Sequence, residues 1–317
     1  MSQVNSDPGT VLKAKRFGLP SFPDVMVGPF GHLADERTRL AGLSWNHFDA
    51  RPVDATIGAE LSGIDLTAGV SDAALAELRD ALHAYKVIFF RDQPLTAEQH
   101  VALASRFGEL EVHPFFPSNT SEPALVRFEK GADTGGYENG WHHDVTWREM
   151  PSAAAMLHAL QVPATGGDTL FCDMAAAYEG LPGSVKTRID NLDAVHDYVA
   201  SFGQTVPANK QQEMRELYPE ATHPVVVRHE ATGAKLLYVN RFFTSHIVGI
   251  SDSESRDLID LLARQSDTLE YQCRFRWEND SVAFWDNRAV QHYAASDYWP
   301  SIRIMERASI VGERPTC

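Results

Sequence analysis

From Ala153 to Ile310 the chain is a succession of short apolar runs separated by turn residues, and no other feature restricts its fold as strongly. Strands are predicted at Ala153 to Leu160, Thr169 to Cys172, Val225 to His229, Lys235 to Val239, Arg274 to Trp277, Ser281 to Trp285 and Ile302 to Ile310. Thr232-Gly233, inside His229 to Lys235, and Glu278-Asn279-Asp280 both read as hairpin connections. Upstream, a strand around Ala55 to Ile57 leads to Leu75, Leu78 and Leu82 at helical spacing, then to the apolar run Val87-Ile88-Phe89-Phe90. Thr96 with Gln99 forms a capping-box signature for a helix ending near Gly108. Ser251 with Glu254 repeats it for a packing helix, Asp252 to Arg264, with Leu258, Leu261 and Leu262 on one side. Many strands with helices grouped outside them predict an α+β protein built on a β-sandwich or jelly roll.

Residues 1 to 50 show no sustained periodicity and contain Pro20, Pro23 and Pro29, so they read as an irregular N-terminal arm, with the folded domain over 51–317. The 43 acidic and 28 basic side chains give a net charge of -15, which repels phosphate backbones and anionic membrane surfaces. Neither nucleic acid nor a membrane is an expected partner, and an anionic small molecule has to be captured by a local cluster of Arg or His. Cys172, Cys273 and Cys317 are odd in number and lack metal-site spacing, and no signal-peptide stretch is present, so a cytoplasmic location is expected.

The chemistry concentrates at His142-His143-Asp144. Two ligands at i and i+2 on a strand point to one face, so His142 and Asp144 could meet a single metal while His143 points away. That is two thirds of the 2-His-1-carboxylate triad of non-haem Fe(II) sites, which leaves coordination positions open. A second His-x-Asp triplet, His47-Phe48-Asp49, lies in the irregular arm and reads as a chance match, while His158, His196, His223, His229 and His246 read as structural or surface residues. Arg303 lies in the apolar run Ile302 to Met305, where an unpaired guanidinium is costly; it needs an anion, from a ligand or from a neighbouring carboxylate. Arg307 shares a face with Arg303 if that strand is regular.

Three motifs then carry a resemblance: Trp141-His-His-Asp-Val-Thr146, Gly166-Gly-Asp-Thr169 and Trp285-Asp-Asn-Arg-Ala-Val-Gln-His292. Together they resemble the taurine/2-oxoglutarate dioxygenase family, and the likeness runs from about Val53 to Gly312. It implies a double-stranded β-helix (jelly roll) core with flanking helices, and a third iron ligand at His292. It also implies Fe(II), O2 and 2-oxoglutarate as co-substrate, whose distal carboxylate would be held by Arg303 with the Thr169 hydroxyl. Oxidative decarboxylation to succinate and carbon dioxide would be coupled to hydroxylation of a substrate C–H. A dimer or tetramer is expected on the same basis.

For the substrate, the resemblance places Arg307 and His113, in the segment His113-Pro114, on an anionic head. A sulfonate or alkyl sulfate would then be cleaved to an aldehyde plus sulfite or sulfate. The taurine enzyme's substrate tyrosine is replaced by Phe116 and its amine-contacting asparagine by Glu138. Phe115, Phe116 and Phe243 offer apolar area, favouring an organic group longer or less polar than aminoethyl; the neighbouring Phe115 and Phe116 would equally suit the core. An aryloxyalkanoate or another carboxylate is the alternative substrate. In another class, a non-oxidative jelly-roll metal-binding protein or a hydrolase would use the same metal ligands.

Overall fold

The computed structural model describes residues 17–113, 116–136, 138–203 and 207–317. Its centre is a seven-stranded sheet whose strands lie in the spatial order Asp49–Pro52, Ala59–Ser62, Val87–Phe90, Val282–Asp286, Ala154–Gln161, Arg303–Ile310 and Leu125–Lys130. Only the Ala59–Ser62 and Val87–Phe90 pair is parallel. A three-stranded sheet, Gln272–Phe275, Thr169–Asp173 and Val290–Ala294, supplies the opposing face of the jelly roll.

The continuous apolar runs of the sequence follow from this sandwich, because the central strands are buried on both faces. Alternate residues Val87, Phe89, Ala155, Leu157, Ala283, Trp285 and Met305 pack with Phe171, Cys273, Phe275 and Val290 of the smaller sheet. The residues between them, Ile88, Phe90, Ala154, Met156, Val282, Phe284, Ala308 and Ile310, pack against Leu78, Leu82 and Leu103 of two covering helices. Those helices begin where side chains satisfy their first backbone donors. Ser71 caps Asp72–Tyr85, and Thr96 with Gln99 forms a complete capping box at Ala97–Ser105. Ser251 caps Asp252–Ala263 through the Glu254 amide.

Several expectations need correction. No strand forms at Ala55 to Ile57. The pairing strands are Asp49–Pro52 and Ala59–Ser62, joined by a turn through Gly58 at φ 80°, and Ile57 reaches the core from that turn. Glu278-Asn279-Asp280 is not a hairpin connection. The strand before it pairs with Thr169–Asp173 and the strand after it with Val87–Phe90 and Ala154–Gln161, so the chain crosses between sheets there. The helix expected to reach Gly108 stops at Ser105, and Leu261 is 43% exposed although Leu258 and Leu262 are buried. Within 17–50 the arm is not irregular throughout. It holds the hairpin Phe17–Leu19 with Phe22–Val27 and the helix Ala34–Ala41, and Leu40 and Phe48 enter the core. The Thr232-Gly233 hairpin does form, with Gly233 at φ 71° and Val226 opposite Leu237.

Candidate active site

Strand register brings the site together. Arg303, Met305 and Arg307 alternate onto the inner face of the large sheet, where Met305 joins the inter-sheet core. On the small sheet Thr169 and Phe171 share a face, and His292 lies directly opposite Phe171. The two arginines and the Thr169–His292 pair therefore face one another across the sandwich, around a cavity of about 1110 Å³ that all four line.

His142 is not on a strand. It forms an isolated antiparallel bridge with His292, its N–H donating to the His292 carbonyl at 3.1 Å and receiving the His292 N–H on its own carbonyl at 2.8 Å. Residues that exchange both bonds present their side chains to the same face, so the two imidazoles converge, with ring centroids 4.3 Å apart. Asp144, two residues on from His142, stands beside them, and the chain turns just after it, with Val145 at φ 50°. One candidate ligand atom from each of His142, Asp144 and His292 lies within 4.8 Å of the others. His143 turns away into the core and packs on Tyr238.

Both imidazoles and the carboxylate suit a metal. The Gly140 carbonyl, 2.7 Å from His142 Nδ1, can only accept, so Nδ1 carries the proton and Nε2 keeps its lone pair. His142 Nε2 and His292 Nε2 each stand 3.9 Å from an Asp144 oxygen. Burial drives both histidines toward the neutral form. Burial alone would raise the Asp144 carboxyl, but Arg307 and then His292 and His142 outweigh it and hold the group below the ordinary carboxylate range. The Asp144 amide donates to Asn287 Oδ1 at 2.7 Å, and Asn287 Nδ2 returns a bond to the Asp144 carbonyl. Gly140 is needed because a Cβ there would collide with the ring of Phe242, which stacks on His142 with centroids 4.9 Å apart.

Arg303 is 7% exposed, and its Nε and Nη2 find no hydrogen-bond partner among the described residues. Trp277 and Tyr298 flank the guanidinium at 5.9 and 5.8 Å, while Glu138 and Asp168 act on it only at a distance, without an ion-pair contact among the described residues. Two buried unpaired donors call for an acceptor with matching geometry, which a carboxylate ligand supplies. Thr169 accepts the Trp277 indole N–H at 2.9 Å, leaving its own hydroxyl hydrogen free to donate into the cavity. A 2-oxoglutarate carboxylate fits these groups.

Arg307 places Nη1 2.9 Å from both Asp144 oxygens, and its guanidinium lies over Phe128 at 5.1 Å. His113 is buried and lies near Arg307; burial and then that guanidinium push its pKa down to about 3. Phe116 packs on His113 at 4.6 Å and on Phe128 at 5.3 Å, and lines the cavity. Pro114 and Phe115 lie outside the described residues. Glu138 lines the cavity but is ion-paired to Lys130 at 3.2 Å. Phe243 joins Phe242, Trp147, Tyr198 and Phe202 in an aromatic wall beside the metal ligands.

Of that wall, sequence reading singled out Phe243 alone. Phe128 and Lys130 were missed because the strand Leu125–Lys130 alternates charge with apolar residues and sits at the sheet edge. Phe242 carried a usable signal, since it adjoins Phe243. Tyr198 and Phe202 carried none, lying on a helix of five residues.

Known proteins resemble this chain over most of its length. Residues 49–309 match the family model described as taurine catabolism dioxygenase TauD, TfdA family. An alpha-ketoglutarate-dependent sulfate ester dioxygenase of Pseudomonas putida is 37% identical over 276 residues, covering 84% of this chain and 90% of the relative. An alkylsulfatase of Acinetobacter baylyi is 34% identical over 274 residues, covering 84% and 86%. The crystal structure of a taurine dioxygenase from Burkholderia xenovorans superposes with a TM-score of 0.74 at 36% identity, covering 85% of this chain and 91% of that one.

Proposed function

The chain belongs to the TauD, TfdA dioxygenase family and is a 2-oxoglutarate-dependent dioxygenase, and from that premise we propose that it binds Fe(II) through His142, Asp144 and His292 and oxidises a small organic sulfonate or alkyl sulfate. The observation that carries this reading is the buried, unpartnered face of Arg303 opening into the same cavity as the metal triad. A hydrolase has no need of that second anion anchor, and family membership removes the non-oxidative alternatives.

Arg303 and the Thr169 hydroxyl hold the distal carboxylate of 2-oxoglutarate, which fixes the co-substrate's length across the cavity. The metal and 2-oxoglutarate together supply the oxidising chemistry with O2. Arg307, beside His113, binds the substrate's anionic head, so the carbon bearing that head comes nearest the metal. The aromatic wall around Phe242 and Phe243 excludes water from the remainder of the substrate. Hydroxylation of a carbon bonded to sulfonate sulfur, or to a sulfate ester oxygen, gives a product that loses a proton from the new hydroxyl as the C–S or C–O bond breaks. Aldehyde and sulfite or sulfate result.

Similarity to the Pseudomonas putida and Acinetobacter baylyi proteins supports the sulfur oxyanion. Arg307 would also pair with a carboxylate, so an aryloxyalkanoate remains the second substrate class. No helix among the described residues is long and apolar enough to cross a membrane, and Cys172 and Cys273 are buried free thiols, as suits a reducing cytoplasm. The test is succinate release by the Fe(II) protein with 2-oxoglutarate and a panel of sulfonates, alkyl sulfates and aryloxy acids. Stimulation by at least one sulfur oxyanion is expected; stimulation by carboxylates alone would overturn the substrate assignment.

A further inference from the structure

Asn240 is fully buried, 0% exposed, and no role in binding or chemistry has yet been given to it. Its side-chain oxygen accepts the backbone N–H groups of Phe242 at 3.1 Å and Phe243 at 2.8 Å. That fixes the amide's orientation, so Nδ2 is the end that meets the Thr146 hydroxyl at 3.1 Å. Thr146 Oγ1 is also hydrogen-bonded to His196 Nδ1, 2.9 Å away. A hydrogen-bonded link, Asn240 to Thr146 to His196, thus runs through the interior.

Its two ends hold different parts of the site. Thr146 lies two residues after Asp144, in the segment whose other side is clamped by Asn287. Phe242 and Phe243 roof the same segment, Phe242 stacked on His142 and Phe243 edge-on to it at 6.3 Å. Its own turn uses the side-chain oxygen, for the two aromatic amides, and the backbone N–H, which donates to the Thr244 hydroxyl at 3.0 Å, and leaves Nδ2 to bond elsewhere. The bond to Thr146 crosses to a chain segment 94 residues away.

We propose that Asn240, through Thr146, is a positioning residue that sets the aromatic wall at a fixed distance from the metal-ligand segment. It thereby sets where the substrate carbon sits relative to the metal. The inference rests on the assignment of His142 and Asp144 to the metal. Loss of the link leaves the ligands and the Arg303 anchor in place but lets Phe242 and Phe243 drift, so 2-oxoglutarate is consumed without matching substrate oxidation.

The experiment compares Thr146→Val, which removes only the hydroxyl, with Thr146→Ser, which restores it; Thr146→Ala replaces the valine variant if that does not fold. In the full-length protein, amide exchange at Phe242 and Phe243, Fe(II) affinity by tryptophan quenching, and product formed per succinate are measured. In Thr146→Val, exchange at both amides should accelerate and product per succinate should fall on the order of ten-fold, since small misplacement near a reacting centre has large effects. Fe(II) affinity should change by less than about two-fold, and Thr146→Ser should restore both altered readouts. Unchanged exchange at both amides would overturn the link whatever the substrate, even if no panel compound stimulates succinate release and the functional reading fails. Fe(II) affinity falling in step with coupling would also overturn it, because the chain would then serve the ligands alone.

Discussion

Arg307 Nη1 stands 2.9 Å from both carboxylate oxygens of Asp144, so one buried cation is shared between a candidate metal ligand and the place where a substrate anion would bind. The pair is buried on both sides, and each charge is tolerable only because the other is present. Removing Arg307 should weaken the substrate anion without weakening the metal. Arg307→Ala should raise KM for the anionic substrate by about thirty-fold or more, as loss of a buried charge pair costs about 2–5 kcal/mol. Fe(II) affinity should be unchanged or tighter, because Asp144 loses its competitor. Metal titration beside substrate kinetics checks this, and a fall in Fe(II) affinity would show that Arg307 instead supports the ligand geometry.

His142→Ala, Asp144→Ala and His292→Ala should each abolish most Fe(II) binding and turnover while leaving the circular dichroism spectrum largely intact. His143→Ala should retain Fe(II), since its ring packs on Tyr238 away from the cluster; its cost is a packing defect of about 2–4 kcal/mol. Equal metal loss in the His143 variant would contradict the assignment.

Arg303→Ala should raise the 2-oxoglutarate requirement steeply, by about 2–5 kcal/mol of binding free energy. Thr169→Val should cost less, about 1–2 kcal/mol, because it removes one hydrogen bond and also leaves the Trp277 indole unpaired. An unchanged 2-oxoglutarate KM in the Arg303 variant would make that arginine purely structural.

Acid sensitivity should come from histidines buried in the neutral form. His100 is fully buried on the covering helix Ala97–Ser105, and burial followed by His158 lowers its pKa to about 3. The unfolded chain binds a proton there below its ordinary value near 6.5, and the folded chain does not until about pH 3. Its contribution to stability is therefore complete above pH 6.5 and is lost as pH falls toward 3. Metal-free unfolding free energies measured from pH 6 to pH 4 should show a slope reduced by about 1.4 kcal/mol per pH unit in His100→Gln. An unchanged slope would mean that His100 titrates normally in the fold.

How much of this was readable beforehand depended on the kind of signal. Val87–Phe90, Ala154–Gln161 and Val282–Asp286 announce themselves because burial on both faces demands uninterrupted apolar residues. Leu125–Lys130 and Asp193–His196 carry charges and were missed, and Val290–Ala294 was visible only as a motif. His142 and Asp144 were legible as a pair with His143 turned away between them, although a single bridge to His292 rather than a full strand holds the segment. The left-handed turn at Val145 that follows the pair was not legible, because backbone strain at one residue leaves no trace in composition. The Arg307–Asp144 contact joins residues separated by 163 positions and follows only from the sandwich.

On the proposed reading, substrate choice is set by two features that act in different directions. Arg307 and His113 beside the metal ligands favour a compact anion, while Phe116 and Phe128 line that end of the cavity with aromatic carbon. Glu138, where a taurine site would place an uncharged amine partner, is ion-paired to Lys130 at 3.2 Å, so a substrate ammonium has to compete with a lysine already in place. The remaining wall of Trp147, Tyr198, Phe202, Phe242 and Phe243 gives an apolar tail area to bury, worth about 0.8 kcal/mol per methylene. An alkyl or aryl sulfonate or sulfate should therefore exceed taurine in kcat/KM, with efficiency rising about three- to four-fold per added methylene until the cavity is filled. Lys130→Met should narrow the gap, because it releases Glu138 toward an ammonium. Kinetics on matched pairs decide the matter, taurine against an alkyl sulfonate of equal length and each sulfonate against its carboxylate analogue. Carboxylate preference in every pair would sink the sulfur assignment. Taurine preference would show that Glu138 serves the amine despite Lys130.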